Sequence, residues 1–148
     1  MSTLKVLTGE SAALLKPVIA LNVWTFTVEA WMYATRIPAI EKYKVSSIPD
    51  KIEEEMKTKF PPSIKWKADN YNHLLEQPTQ YYAVALTLAL LGANDSNTVN
   101  LAWGYVGLRV VHSLVQATVN KIMLRFGIFV GSSAVLAAMT VKAARMLV

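Results

Sequence analysis

The chain of 148 residues contains no cysteine, two histidines and few charges: Asp, Glu, Lys and Arg make up 17% of it, against 53% hydrophobic residues. With no cysteine there is no disulfide, which excludes the small secreted scaffolds, and no mechanism rests on a thiol of its own. His73 and His112 are the two histidines, so a histidine-rich metal site is excluded. His73, Glu76 and His112 together match no ligand motif, and no metal is expected. There is no glycine-rich phosphate loop, G-x-S-x-G elbow or dinucleotide fingerprint. A soluble domain carries about 25% charged residues; at 17%, too few remain to coat a water-facing surface. Residues 1–10 lack the basic start, compact apolar core and small-residue cleavage site of a leader, so the chain's own spans are expected to set its location.

The charges that are present cluster. The net charge is +5, and the isoelectric point is about 9.5. Residues 36–67 hold eight basic side chains but also five acidic ones, which makes a mixed polar segment and not a stripe for nucleic acid. A bilayer core about 30 Å thick needs roughly 20 mostly apolar residues in a helix. Four stretches meet that need, at residues 14–35, 74–93, 98–118 and 122–141. Short connectors around Asn94 and Lys121 force antiparallel neighbours, so the expected fold is an all-α, integral-membrane four-helix bundle running up and down. A soluble bundle would show a polar face on every helix, whereas residues 81–93 are apolar and Arg125 is the sole charge in the fourth stretch. The concentration of Lys and Arg predicts the 36–67 loop on the cytosolic side and both termini on the other. Residues 51–59 can form a short surface helix ended by Pro61-Pro62, and Trp66 suits an interfacial anchor.

Ionisable groups inside spans are costly and normally face protein or a wet cavity. In the third stretch, Tyr105, Arg109, His112 and Gln116 share one helical face, with Asn120 continuing it. The second opens with Asp69, Asn72, His73, Glu76 and Gln80; the first carries Asn22, Glu29, Tyr33 and Arg36 on a common face. Most of these crowd toward the loop side, which implies a polar cavity open there. Two uses fit: a ligand site, or structural pairs such as Glu76 with Arg109 and Glu29 with Arg36 that hold helices together. Snorkelling is an adequate account of Arg36 and Arg125 near span ends, and a satisfied hydrogen bond of His112 alone. Gly127 and Gly131 form a G-x-x-x-G that lets another helix approach.

The run Tyr105-Val-Gly-Leu-Arg109-Val-Val-His112-Ser-Leu-Val-Gln116, followed by Leu124-Arg125-Phe126, resembles the third and fourth spans of the MAPEG family, membrane-associated proteins of eicosanoid and glutathione metabolism. Asp69-Asn-Tyr-Asn-His-Leu-Leu-Glu76-Gln-Pro78 resembles its second-span signature. The likeness extends over about residues 14–147 and looks most like the prostaglandin E synthase and microsomal glutathione transferase branch. It implies a homotrimer, glutathione bound between subunits toward the cytosol, and a lipophilic small-molecule substrate arriving from the bilayer lipid. It also implies the endoplasmic reticulum in a eukaryotic host or the inner membrane in a bacterial one.

Carried across, Arg125 matches the arginine at the glutathione sulfur and is the expected catalytic residue. Glu76 matches the glutamate that holds the peptide, and Arg109 and His112 match the third-span pair. Asn72, Arg36, Tyr105 and Gln116, from the same stripes, complete the expected binding set. A thiol of pKa near 8.5 is lowered by a nearby guanidinium, which stabilises the thiolate nucleophile. Where the family commonly places arginines before the glutamate, this chain has Asp69, Asn72 and His73, and Gln116 stands where the prostaglandin branch has a tyrosine. Two further readings stand beside this one. The first is an isomerase or cyclase without glutathione, in which His112 or Glu76 moves a proton. The second is a non-catalytic membrane scaffold.

Overall fold

The computed structural model describes residues 12–148. The leader reading of residues 1–10, with Lys5 among the terminal charges, lies outside the described residues. Among those described, six α-helices follow in order: α1 (Ala12–Lys42), α2 (Pro49–Lys59), α3 (Pro62–Glu76), α4 (Thr79–Leu90), α5 (Ser96–Thr118) and α6 (Ile122–Leu147). The all-helical expectation holds. α1 and α6 are long and apolar enough to cross a bilayer.

Local chemistry sets the boundaries. At 31 residues α1 is about 46 Å long, longer than a bilayer's apolar core is thick. It therefore continues through Arg36 to Lys42, into the segment expected to be a loop. There Ala39 packs with Val45 and Phe60, flanked by Ile40, Tyr43, Ile52, Met56 and Ile64, as a small apolar cluster of its own. Much of residues 36–67 is thus helical, because that cluster gives α2 and α3 something to bury against. Lys44 turns the chain with φ 49°. Glu55 on α2 accepts from Ser46 N (2.8 Å) and Lys59 Nζ (2.7 Å), which ties the turn to the helix.

Residues 74–93 are divided. Pro78 has no N–H, and its ring opposes the carbonyl four residues back, so α3 stops at Glu76 and α4 restarts at Thr79. Backbone bonding resumes on either side of the break: Gln77 N donates to His73 O (3.2 Å) and Tyr82 N to Pro78 O (3.1 Å). Gly92, with φ 73°, then turns the chain toward α5.

The main core lies where α1, α4, α5 and α6 meet. Leu14, Leu21, Tyr81, Leu88, Ala102, Tyr105 and Met139 are buried there without exposure. Large apolar side chains such as Phe26, Ile37, Leu90, Met123 and Phe126 point outward, the inverse of a soluble protein of this size. At one end Asp95 caps α5, accepting from Thr98 N (3.2 Å), and also pairs with Lys142 of α6, which contacts Thr98 Oγ1 as well.

The hydrogen bonds from Lys142, then from Thr98, hold the Asp95 carboxyl well below its ordinary value of 3.8. A lowered folded pKa gives stability that is complete above the ordinary value and is lost as pH falls toward the lowered one. Thermal unfolding in detergent is therefore expected to show a steeper loss of Tm below about pH 4 for the native chain than for Asp95→Asn. At neutral pH the variant is expected to melt only slightly lower, because the pair is exposed and screened by solvent.

Candidate functional site

Polar side chains of α3 and α5 meet in three successive cross-links. Asn70 Nδ2 donates to Ser113 Oγ (2.6 Å), and that hydroxyl donates to Asn70 Oδ1 (2.9 Å). One turn on, an Arg109 guanidinium nitrogen, Nη2, donates to His73 Nδ1 (2.9 Å). One turn further, Tyr105 OH donates to Gln77 Oε1 (2.7 Å). Residues 70, 73 and 77 climb α3 at helical spacing while 113, 109 and 105 descend α5, as antiparallel helices require. Asn70, Ser113, Arg109 and Tyr105 are fully buried. Apolar surroundings make each unmade bond expensive, so the ladder sets the register between the two helices. The Tyr105 ring stacks on Tyr81 (centroids 4.3 Å apart, 9° between planes), which carries the ladder into the main core.

Beside the middle rung the His73 and His112 rings stack at 4.9 Å and 21°. Phe129 of α6 tilts against both. His73, His112, Gln116, Ile122, Arg125, Phe126 and Phe129 line an open-sided cavity of about 240 Å³. Several buried polar atoms around it have no partner among the described residues: Arg109 Nε and Nη1, His112 Nδ1 and Gln116 Oε1. Such atoms are rare inside proteins, and here four of them come from one face of α5.

The turn between α5 and α6 places the second cation. α5 ends at Thr118 and Asn120 takes φ 50°, the left-handed position that closes many helices and that Asn tolerates better than other non-glycine residues. Its backbone N–H bonds Val115 O (2.7 Å). Its side chain accepts from Arg125 Nη1 (2.7 Å), which fixes that guanidinium in the first turn of α6. A guanidinium carries five N–H donors, so most of Arg125's are left for the cavity it lines.

The structure brings His112, Gln116 and Arg125 to one cavity, with Arg109 directly behind its wall. It does not bring the others there. Arg36 and Asn72 line a separate recess of about 620 Å³ between α2 and α3, with Asp69, Trp66 and Phe60. Tyr105 is occupied in the third rung. Glu76 is exposed on α3. The alternative pairing of Glu76 with Arg109 is absent: Arg109 bonds His73 instead. Arg36 Nη2 meets the Met56 sulfur at 2.9 Å, not Glu29. Asn120 lies past the end of α5 and acts through the turn, not the helical stripe.

Asn70, Gln77 and Ser113 escaped the sequence reading. Asp69, Asn72, Glu76 and Gln80 form one polar stripe of the second segment, and it is exposed. Asn70, His73 and Gln77 form a second, about 100° around the helix, and that one faces α5. A signal was present: their spacing of three and four is helical, as is the spacing of four and four of Tyr105, Arg109 and Ser113.

Outward apolar faces and an inward polar seam define a helical integral membrane protein with a polar site between its helices. The family model for MAPEG matches residues 14–145, nearly the whole chain, and the protein belongs to that family. Comparison with curated proteins and with solved structures gave no match.

The Asn70–Ser113 rung is open to a double-mutant cycle. Asn70→Leu and Ser113→Ala are each expected to lower the unfolding free energy in mixed micelles. The double variant is expected to lose less than the sum, with a coupling of about 0.6–1.7 kcal/mol; strict additivity would mean the rung contributes nothing.

Proposed function

We propose that the protein is a glutathione-dependent transferase, peroxidase or isomerase of lipophilic small molecules, with Arg125 as the catalytic cation. The observation that carries this reading is the Arg125 guanidinium, anchored by Asn120 at one edge and otherwise free, on a cavity shared with His112 and Gln116. Glutathione supplies the thiol that a cysteine-free chain lacks. Arg125 stabilises the thiolate and holds it in place. The unpartnered N–H groups of Arg109 and the free acceptor of Gln116 support a polar, anionic guest at this depth. Arg109 acts from behind the wall as a positioning residue, and the Phe126 and Phe129 rings exclude water from the reacting atoms.

The assembly is a homotrimer. At about 240 Å³ the cavity of one chain falls below the roughly 300–1,000 Å³ of small-molecule sites. Ile122 and Phe126, which line it, are exposed, as are Met123 and Leu124 on the same turns of α6. A neighbouring copy completes the pocket. Glu76 and Asn72, exposed on α3, and Arg36 in the second recess bind the peptide portion across that interface, with Asp69 available to its ammonium group. The long polar segment faces the cytosol and the termini the opposite side, as the distribution of Lys and Arg favours.

Native mass spectrometry from detergent is expected to give three times 16.4 kDa; a monomer would remove the shared pocket. Millimolar glutathione is expected to raise Tm by mass action, the folded state gaining about 2.7 kcal/mol at a hundredfold excess over Kd. Arg125→Ala is expected to cut glutathione-dependent turnover of benzyl chloride about a hundredfold. No thermal shift, with the variant indistinguishable from the native chain, would take glutathione out of the reading. A co-purified lipid identified by mass spectrometry without any glutathione effect would favour the glutathione-free enzyme.

A further inference from the structure

His73 lines the cavity, and beyond accepting from Arg109 in the ladder it has no part yet toward a guest. Its Nδ1 sits 2.9 Å from Arg109 Nη2. A guanidinium only donates hydrogen bonds, so Nδ1 is the acceptor and carries no proton. The ring is therefore neutral, and its one N–H is on Nε2. Stacking on His112 and the tilted Phe129 fix the plane of the ring, and the ring's one hydrogen bond among the described residues uses Nδ1, not Nε2. Arg109, rigid and fully buried, thus selects one tautomer of His73 and keeps it.

We propose that His73 Nε2–H is a hydrogen-bond donor to a carbonyl oxygen, and that the site accepts flat, conjugated carbonyl compounds. The chemistry of the walls argues for that class. The cavity is lined by a cation (Arg125), a neutral donor (His73) and the aromatic rings His112, Phe126 and Phe129. Two stations suit an electrophile whose attacked atom and charge-accepting atom are different and a few bonds apart. An α,β-unsaturated ketone is such a molecule, and its flat π system matches aromatic walls. In an alkyl halide the atom that takes the charge is bonded directly to the attacked carbon, so the two are too close together to use separate stations.

The inference rests on the glutathione reading for its covalent step. On conjugate addition a C–S bond forms at the β-carbon and the C=C pair shifts to place negative charge on the carbonyl oxygen. His73 Nε2–H stabilises that charge. The α-carbon then takes a proton from water, matching the proton released when the thiol ionised, and nothing is oxidised or reduced.

The test has a readout that needs no glutathione. Raman difference spectra of bound 4-phenyl-3-buten-2-one are expected to show the C=O stretch moved to lower frequency in the native protein and in His73→Gln, which keeps an N–H donor. In His73→Phe, which keeps a flat ring, the stretch is expected at its apolar-solvent position. His73→Met replaces the phenylalanine variant if that one does not assemble. With glutathione present, the kcat/KM ratio of this enone over benzyl chloride is expected to fall about a hundredfold in His73→Phe and to recover largely in His73→Gln. An unshifted carbonyl in the native protein, or an equal fall for both electrophiles, overturns the assignment of His73. A shifted carbonyl with no glutathione-dependent turnover of either electrophile leaves the donor standing and overturns the glutathione reading alone.

Discussion

Three hydrogen-bonded rungs between α3 and α5 hold the site together, and the middle one has an unusual composition. Asn70 with Ser113 and Gln77 with Tyr105 are neutral pairs that satisfy each other. Between them a fully buried guanidinium meets a histidine in place of a carboxylate. A carboxylate there would neutralise Arg109 and close the account inside the protein. A histidine accepts one N–H and leaves the positive charge largely uncompensated, at a cost that proteins rarely accept without use. The field of that charge reaches the adjoining cavity, where Arg125 adds a second cation.

Backbone chemistry away from the ladder determines what the ladder can reach. Pro78 interrupts α3 just after Gln77, and the interruption lets α4 turn into the main core while α3 stays beside α5. At the other end Asn120 both reverses the chain and grips Arg125, so one residue couples the end of α5 to the orientation of the guanidinium on α6. The apolar cluster of Ala39, Val45 and Phe60 steadies the far ends of α1 and α3 outside the main core. Each device is local, and together they converge on a space enclosed on one side by α3 and α5 and on the other by α6.

Much of this was legible beforehand. The scarcity of charge against 53% hydrophobic residues identified a membrane protein, and the motif around Arg109, His112 and Arg125 identified the family. The short helix expected near residues 51–59 is present as α2. The reading went astray where one residue of register mattered. On a helix a single step turns a side chain by about 100°: of the expected stripe Asp69, Asn72, His73, Glu76 and Gln80, His73 alone bonds α5, joined by Asn70 and Gln77, which the stripe left out. Periodicity identifies a polar stripe, but two such stripes overlap in residues 69–80, and only the packing partner distinguishes them. The same ambiguity produced the alternative pairing of Glu76 with Arg109.

By itself, the order of residues determined the class of protein, the helical content, the family and the identity of the polar side chains. Those follow from composition and from spacing along one chain, which are local properties. Tertiary structure alone decided which acceptor receives the buried Arg109, that His73 keeps its proton on Nε2, and that Arg36 and Asn72 stand apart from Arg125. Such pairings depend on the rotation and relative height of two helices, set by burial of many side chains at once. No run of residues along a single helix encodes them.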